Sequence, residues 1–284
     1  MSSKIGIGVV TCERPDYFTK CINSVPDGVG TVVVVNDGAP YDPGLYPAKV
    51  SEVIQHERNL CVGISKNEAL RYLMAQGCEY LFLIEDDMEL LRHDVFERYI
   101  RTAEISGVWH LNYGPGSPFN RRQATKSFDL HTRHLLDKTS PPAPRLVVDY
   151  EGGYQIALYE HTVAMFSFFS REVIERAGFH DETYTNAWEH VDLTYRIIKA
   201  GMHPPFWYFA DVWDSTCYIR EQEGAIENSA IAKDERKWEM NLQLGAEHYR
   251  QVHGHYPNEV RNATEDEVRR ILHSLRLRYA LRRS

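Results

Sequence analysis

The sequence has no apolar run approaching the ~20 residues that a bilayer-spanning helix needs. Its most apolar stretches, such as Thr31–Val35 and Tyr80–Ile84, are far shorter, so a transmembrane protein is not expected. A secretory leader is not expected either, because Met1-Ser2-Ser3-Lys4 leads straight into a strand-like run. Cysteine is scarce: the five residues at 12, 21, 61, 78 and 217 are odd in number and form no C-x-x-C pair. That excludes a disulfide scaffold, disfavours a structural zinc site, and fits reduced thiols in a cytoplasmic protein. Positive charge is outnumbered, with 32 Lys and Arg against 40 Asp and Glu, and a net −8 disfavours nucleic acid as a partner. There is no internal repeat and no low-complexity tract.

What is present is enough for a substantial core: 43% of the 284 residues are hydrophobic and 25% charged. Ile5–Val10 reads as a strand that ends at Thr11-Cys12-Glu13-Arg14-Pro15. Pro15 suits a first helical position, and Phe18, Cys21, Ile22 and Val25 follow at helical spacing. Thr31–Val35, a continuous β-branched run, reads as a strand buried on both faces and stops at Asn36-Asp37-Gly38. Ser65-Lys66-Asn67-Glu68 has capping-box spacing and predicts a helix start, continued by Ala69, Leu70, Leu73 and Met74 to Gly77. Tyr80–Ile84 is the next strand and ends in Glu85-Asp86-Asp87; a helix from Asp94 to Ser106 closes at Gly107, and Trp109–Tyr113 follows as a strand.

Strands alternating with helical patterns imply an α/β fold with a mostly parallel central sheet covered by helices on both faces. Residues 114–155, rich in Pro and Gly, read as a long connection of the kind that forms a substrate lid. Structure resumes at the apolar segment Val163–Phe169, a helix capped by Ser170 and ending at Gly178, and another from Glu189 to Ala200. Thr264-Glu265-Asp266-Glu267 is a capping box for a last helix whose apolar face is Val268, Ile271, Leu272 and Leu275. The expected division is a main domain over residues 1–220 and a helical C-terminal extension over 221–284.

In open parallel sheets ligands bind beyond the carboxyl ends of the strands. Asp37 and the Glu85–Asp87 cluster both fall there. Three adjacent carboxylates repel one another unless a cation sits among them, and hard oxygen ligands select Mg²⁺ or Mn²⁺ bridged to a phosphate. Asp37 is placed to accept from a ribose or a base edge. In Trp188-Glu189-His190-Val191-Asp192-Leu193-Thr194-Tyr195-Arg196, Glu189 and Asp192 share one helix face, and Glu189 lies in the first turn, where the helix dipole favours an ionised carboxylate. A carboxylate there suits general-base work; capping plus an Asp192–Arg196 pair explains the same residues equally well.

Taken in order, these segments resemble GT-A glycosyltransferases, close to the inverting family-2 type. Thr11-Cys12-Glu13-Arg14-Pro15 is similar to that family's Thr-x-x-Arg-Pro turn, and Val33-Val34-Val35-Asn36-Asp37-Gly38 to its Asp-Asp-Gly strand end, with Asn for the first Asp. Asn59 to Asn67 resembles its Asn-x-Gly…Arg-Asn segment, with Lys66 in place of Arg. Glu85-Asp86-Asp87 stands where the Asp-x-Asp metal motif is found, as in the Glu-Asp-Asp form of some N-acetylglucosaminyltransferases. Gly178-Phe179-His180-Asp181-Glu182 resembles a Gly-Phe-Asp-Glu turn with His180 inserted, and Glu189-His190-x-Asp192-Leu193-x-x-Arg196 resembles Glu-Asp-x-Asp-Leu-x-x-Arg. The likeness spans residues 4 to about 201.

The resemblance implies a metal-dependent hexosyl- or N-acetylhexosaminyltransferase that passes sugar from a UDP-sugar to a hydroxyl of a glycan or other acceptor, with inversion. Thr11, Arg14 and Asp37 would line the nucleotide pocket, with Lys66 near the base or a phosphate. Asp87 would hold Mn²⁺ or Mg²⁺, with Glu85 or Asp86 reaching ribose, sugar or metal-bound water; Asp214 would be a further metal ligand. The base would be Glu189, Asp192 or His190. Glu189 ranks first because its carboxylate is retained. His190 stands where the family has Asp, and its ordinary pKa near ~6.5 suits proton acceptance.

Two other classes compete. A sugar-phosphate nucleotidyltransferase would need a Gly-rich, basic loop after the first strand, which Thr11–Pro15 lacks. A non-catalytic glycan- or nucleotide-binding module would make His190 a mark of lost activity. The aromatics Trp207, Tyr208, Phe209, Trp213 and Tyr218 could face an acceptor or pack in the core. Residues 261–284 carry seven Arg against three acids, a local +4, and the resulting cationic helix is suited to peripheral membrane contact or to docking with a solvated Arg face.

Overall fold

The computed structural model describes residues 4–117, 120, 142–205, 209–225, 228–229, 233–259 and 263–283. In chain order its elements are β1 (Ile5–Thr11), α1 (Pro15–Ser24), β2 (Thr31–Asn36), β3 (Val50–Gln55), α2 (Val62–Ala75), β4 (Tyr80–Glu85), β5 (Met88–Leu90), α3 (Val95–Ser106), β6 (His110–Asn112), β7 (Leu146–Asp149), β8 (Gln155–Tyr159), β9 (Phe166–Ser170), α4 (Arg171–Ala177), α5 (Glu189–Lys199), β10 (Phe209–Val212), β11 (Ile219–Glu221), α6 (Glu235–His253) and α7 (Glu265–Arg283).

The apolar runs become strands because each can bury both faces. Val32 and Val34 point to one side, with Phe18, Ile22, Phe82 and Phe96; Val33 and Val35 point to the other, with Ala69, Leu70, Leu73 and Leu193. The six-stranded sheet runs β3-β2-β1-β4-β9-β6. The first four strands are parallel, β9 is antiparallel to β4, and β6 is antiparallel to β9. A three-stranded antiparallel sheet, β10-β8-β7, and a ribbon of β11 with β5 flank it. The expected α/β architecture with a mainly parallel central sheet is therefore present. On β1, Gly8 lets α2 press against the strand: a Cβ there would lie 2.7 Å from that of Ala69.

Two local readings are corrected. The helix expected to start at Ser65 starts a turn earlier, after Cys61 in the left-handed region at φ 82°. Ser65 is inside it and donates to the Cys61 carbonyl, while Glu68 is drawn away to His56. Second, the segment read as one long connection over 114–155 contains β7 and the start of β8, paired along Leu146–Asp149. The rest of the supposed lid, residues 118–119 and 121–141, lies outside the described residues.

At the C-terminal end, α7 lays Val268, Leu272 and Leu275 against the core over α3, and the Thr264–Glu267 box forms as expected. Gly107, at φ 76°, closes α3 where a side chain would meet the Leu275 carbonyl at 2.5 Å. Gln222, just beyond residue 220, is stitched to the sheet edge: its N–H donates to the Asp87 carbonyl and its amide to that of Asp86.

A candidate active site at the ends of the parallel strands

Parallel register brings the strand ends together. Thr11 pairs with Asn36 and Val10 with Glu85, so Thr11, Asp37 and the 85–87 carboxylates leave the sheet along one edge. The turns are fixed by the backbone, with Asp37 N–H donating to the Thr11 carbonyl at 2.8 Å and Asp86 N–H to that of Val10 at 3.0 Å.

Around Asp86 the side chains form a closed web. Thr11 Oγ1 donates to Asp86 Oδ2 at 2.7 Å and meets the Tyr41 hydroxyl at 2.9 Å; that hydroxyl accepts from Arg14 N–H at 2.8 Å. The Arg14 guanidinium bonds Asp86, reaches Asp87 Oδ2 at 3.3 Å, and donates to the Ala225 carbonyl at 3.2 Å. Asp87 is buried, and its Oδ1 has no partner. Burial first, then the neighbouring Glu85, pushes its carboxyl up to about 8 despite Arg14.

Asp37 is held from beneath. Its Oδ1 accepts from Leu60 N–H and meets His56 Nδ1, both at 2.7 Å, and His56 Nε2 lies 2.5 Å from Glu68. Burial would lower the His56 pKa, but the two carboxylate bonds outweigh it and raise it.

Lys66 ties the strand end to α5. Fully enclosed, its Nζ lies 2.7 Å from Glu85 Oε1, 3.8 Å from Glu189 Oε1 and 3.3 Å from the Ala164 carbonyl. Burial would depress its pKa, but Glu85 and Glu189 raise it instead. Burial likewise would raise Glu189, yet His190 and Lys66 hold that carboxyl below its ordinary value. His190 Nδ1 is 3.2 Å from Glu189 Oε1, and Glu189 Oε2 is buried without a partner. Trp188, at φ 70°, starts α5 in the left-handed region and is anchored by its indole N–H on the Leu242 carbonyl of α6 at 3.0 Å.

Thr11, Arg14, Asp37, Lys66, Glu85, Asp86, Asp87, Glu189 and His190 thus belong to one connected region. Asp192 and Asp214 are engaged elsewhere. Asp192 is buried between Arg196, at 2.7 Å, and His253, at 2.7 Å, so the expected pairing with Arg196 forms and its oxygens are filled. Asp214 is paired with Arg98 of α3, Nη2 to Oδ2 at 3.0 Å, rather than with Asp87. Of the aromatics, Phe209 is in the core, Trp213 is exposed and Tyr218 lies under Arg92; Trp207 and Tyr208 lie outside the described residues. On α7, Arg269 pairs with Glu265 and Arg276 with Glu151, while the side chains of Arg282 and Arg283 lie outside the described residues. Among the described residues no helix is long and apolar enough to cross a membrane.

Tyr41, His56, Glu68 and Gln222 also build the region; no spacing in the sequence pointed to Tyr41, His56 or Gln222, and the spacing of Glu68 pointed to a helix cap instead. Among the described residues no group of three or more His, Cys, Asp or Glu is arranged to hold a metal ion. What fits a cation is narrower: one bare, buried carboxylate oxygen on Asp87 beside two more carboxylates, a donor set for an ion that takes most of its ligands from phosphate and water.

No protein-family model matches the chain. Over 200 residues, 69% of the chain and 68% of the relative, it is 22% identical to an uncharacterized glycosyltransferase, R363, of Acanthamoeba polyphaga mimivirus. Its structure is similar to that of a mannosyltransferase of Pyrobaculum calidifontis in complex with GDP-Man and Mn²⁺, with a TM-score of 0.52 and 14% identity over 95% of this chain and 68% of that one. S. aureus TarS, residues 1–349, superposes with a TM-score of 0.48 and 14% identity over 87% of this chain and 72% of that one. The likeness to the mannosyltransferase shows a shared glycosyltransferase-type fold.

Proposed function

We propose that the protein is a GT-A glycosyltransferase, family-2-like, that transfers a sugar from a nucleoside diphosphate sugar to an acceptor hydroxyl with inversion. The observation that carries this reading is the buried, partnerless Asp87 Oδ1 at the end of β4, linked through Glu85 and Lys66 to the head of α5. Its support includes the glycosyltransferase name of the mimivirus relative and the nucleotide sugar and Mn²⁺ bound by the similar mannosyltransferase.

Asp87, with Glu85 beside it, would hold Mn²⁺ or Mg²⁺. Such an ion, when bound, neutralises the departing diphosphate as a Lewis acid. Asp86 is oriented by Thr11 and Arg14, and so is aimed rather than free to swing. Asp37, fixed by His56 and Leu60 N–H, offers a carboxylate to a base imino or amino group. A uracil or a guanine meets that requirement, so both UDP- and GDP-linked hexoses and N-acetylhexosamines belong in the donor panel, with UDP-sugars first. Lys66 lies between Glu85 and Glu189 and joins the strand end to the head of α5.

The test is calorimetry of UDP and GDP with Mn²⁺. Wild-type protein should bind one of them in a metal-dependent manner, and Asp87→Ala should abolish that binding. Binding unchanged by Asp87→Ala, or the same with and without Mn²⁺, overturns the reading.

A further inference from the structure

The residue that takes the acceptor's proton is the open question within that reading, and the inference that follows rests on it. Two groups at the head of α5 compete. Glu189 has the carboxylate; His190 has the exposure. The Glu189 side chain is 5% exposed, and its Oε1 already serves Lys66 and the His190 ring. Its Oε2 lacks a partner but is enclosed, so an incoming hydroxyl cannot reach it past the residues that cover it. The His190 side chain is 17% exposed.

The bond between the two decides the tautomer. An ionised carboxylate only accepts, so the 3.2 Å contact from Nδ1 to Glu189 Oε1 requires the proton on Nδ1. That leaves Nε2 with its lone pair, and among the described residues Nε2 has no hydrogen-bond partner. An imidazole whose inner nitrogen donates to a buried carboxylate, and whose outer nitrogen is bare, is the arrangement in which a histidine takes a proton and the carboxylate stabilises the resulting imidazolium.

We propose that His190 Nε2 is the general base of the transfer and that Glu189 is the positioning residue that fixes its ring and tautomer. The acceptor O–H breaks as its proton passes to Nε2. The electron pair of that oxygen forms the new bond to the anomeric carbon, and the bond from that carbon to the diphosphate oxygen breaks, its pair leaving with the diphosphate. The imidazolium then returns its proton to solvent. Lys66, between Glu85 and Glu189, anchors the back of the dyad to the strand end, so the base and the leaving-group carboxylates form one rigid unit. His180 lies on the other side of Glu189, its Nδ1 near the Glu189 carbonyl at 3.5 Å.

The experiment uses the full chain with Mn²⁺ and GDP-mannose, UDP-glucose and UDP-N-acetylglucosamine as donors. Water serves as the acceptor, and nucleoside diphosphate release is the readout. His190→Ala should lower kcat about 100-fold or more, the range of a lost general base, with nucleotide affinity unchanged. Added imidazole should restore part of the His190→Ala rate, which no structural role for the ring would allow. Glu189→Gln should lower kcat less than His190→Ala does. In long-range ¹H–¹⁵N spectra His190 should carry its proton on Nδ1, and Glu189→Gln should shift it toward Nε2. The proposal is overturned if Glu189→Gln is at least as damaging as His190→Ala, if His190→Ala turns over at the wild-type rate, or if His190 is protonated on Nε2 alone. The spectra decide the dyad even where no donor is hydrolysed, whereas loss of nucleotide binding counts against the transferase reading itself.

Discussion

The two acidic groups of this protein are balanced differently. At the head of α5 every carboxylate has a cation and an imidazole beside it: Glu189 has Lys66 and His190, and Asp192 has Arg196 and His253. At the end of β4 three carboxylates share one arginine and the near side of one lysine, and Asp87 is left with a bare buried oxygen. Coulomb repulsion among buried like charges is costly, so a site built this way is poised for a cation from outside. Each group keeps one bare buried oxygen, Glu189 Oε2 and Asp87 Oδ1, but only at the strand end do the carboxylates outnumber the basic side chains around them. Lys66 belongs to both, and removing it gives the largest effect.

Lys66→Met would leave Glu85 and Glu189 without their shared cation. Breaking a buried pair by removing one partner costs about 3–5 kcal/mol, and Glu85, being partly exposed, puts this case near 3. Urea unfolding should show that loss, and adding Glu85→Gln to Lys66→Met should recover part of it. A loss below about 1 kcal/mol would mean that the strand end and the helix head are not coupled through this lysine.

The second effect comes from behind α5, where neutral imidazoles rather than charges are buried. His203 Nδ1 donates to the Pro204 carbonyl at 2.8 Å and Nε2 accepts from Ala210 N–H, a pattern only the neutral ring can make. Burial lowers its pKa from 6.5 to about 4. The folded value is the depressed one, so the unfolded chain takes up the proton first. Stability from this group is complete above pH 6.5 and drains away as pH falls through 4. His110, bonded to Thr194 of α5 and also lowered by burial, adds to the same slope. His203→Gln should be less stable than wild type at pH 7, and the gap should narrow toward pH 4. A gap independent of pH would remove His203 as the source.

Most of the frame was legible in the sequence because burial wrote it there. β1, β2 and β4 are apolar runs that pack on both faces, and α3 and α4 carry their stops at Gly107 and Gly178 and a Ser170 cap. β3 was missed because Val50-Ser51-Glu52-Val53-Ile54-Gln55 is an edge strand with exposed positions and no clean period. The start of α2 was misplaced because Ser65 and Glu68 have cap spacing, yet their side chains serve Cys61 and His56. For the site, the strand-end acids could be read from their position alone. The partners could not: Tyr41 reaches Thr11 across 30 residues, His56 reaches Asp37 across 19 and Gln222 reaches Asp86 across 136, and no local pattern encodes such closures. Asp214 illustrates the reverse: it lies in the expected stretch of chain, but Arg98 claims it.

The smallest effect is the sharpest test of the comparison, because its sign differs between the two groups. Asp87→Asn removes a carboxyl that burial and Glu85 push up to about 8, so that folding near neutral pH forces a proton onto it, and should stabilise the metal-free protein by about 1 kcal/mol, a rise in Tm of roughly 2–4 °C for a chain of this size. Asp192→Asn removes a carboxylate that Arg196 and His253 enclose and should lower Tm. Saturating Mn²⁺ should reverse the order at position 87 alone, since only the wild-type carboxylate gains from the ion. If both substitutions lowered Tm in the absence of metal, the strand end would be as well compensated as the helix head, and its surplus of negative charge would not be what prepares it for a cation.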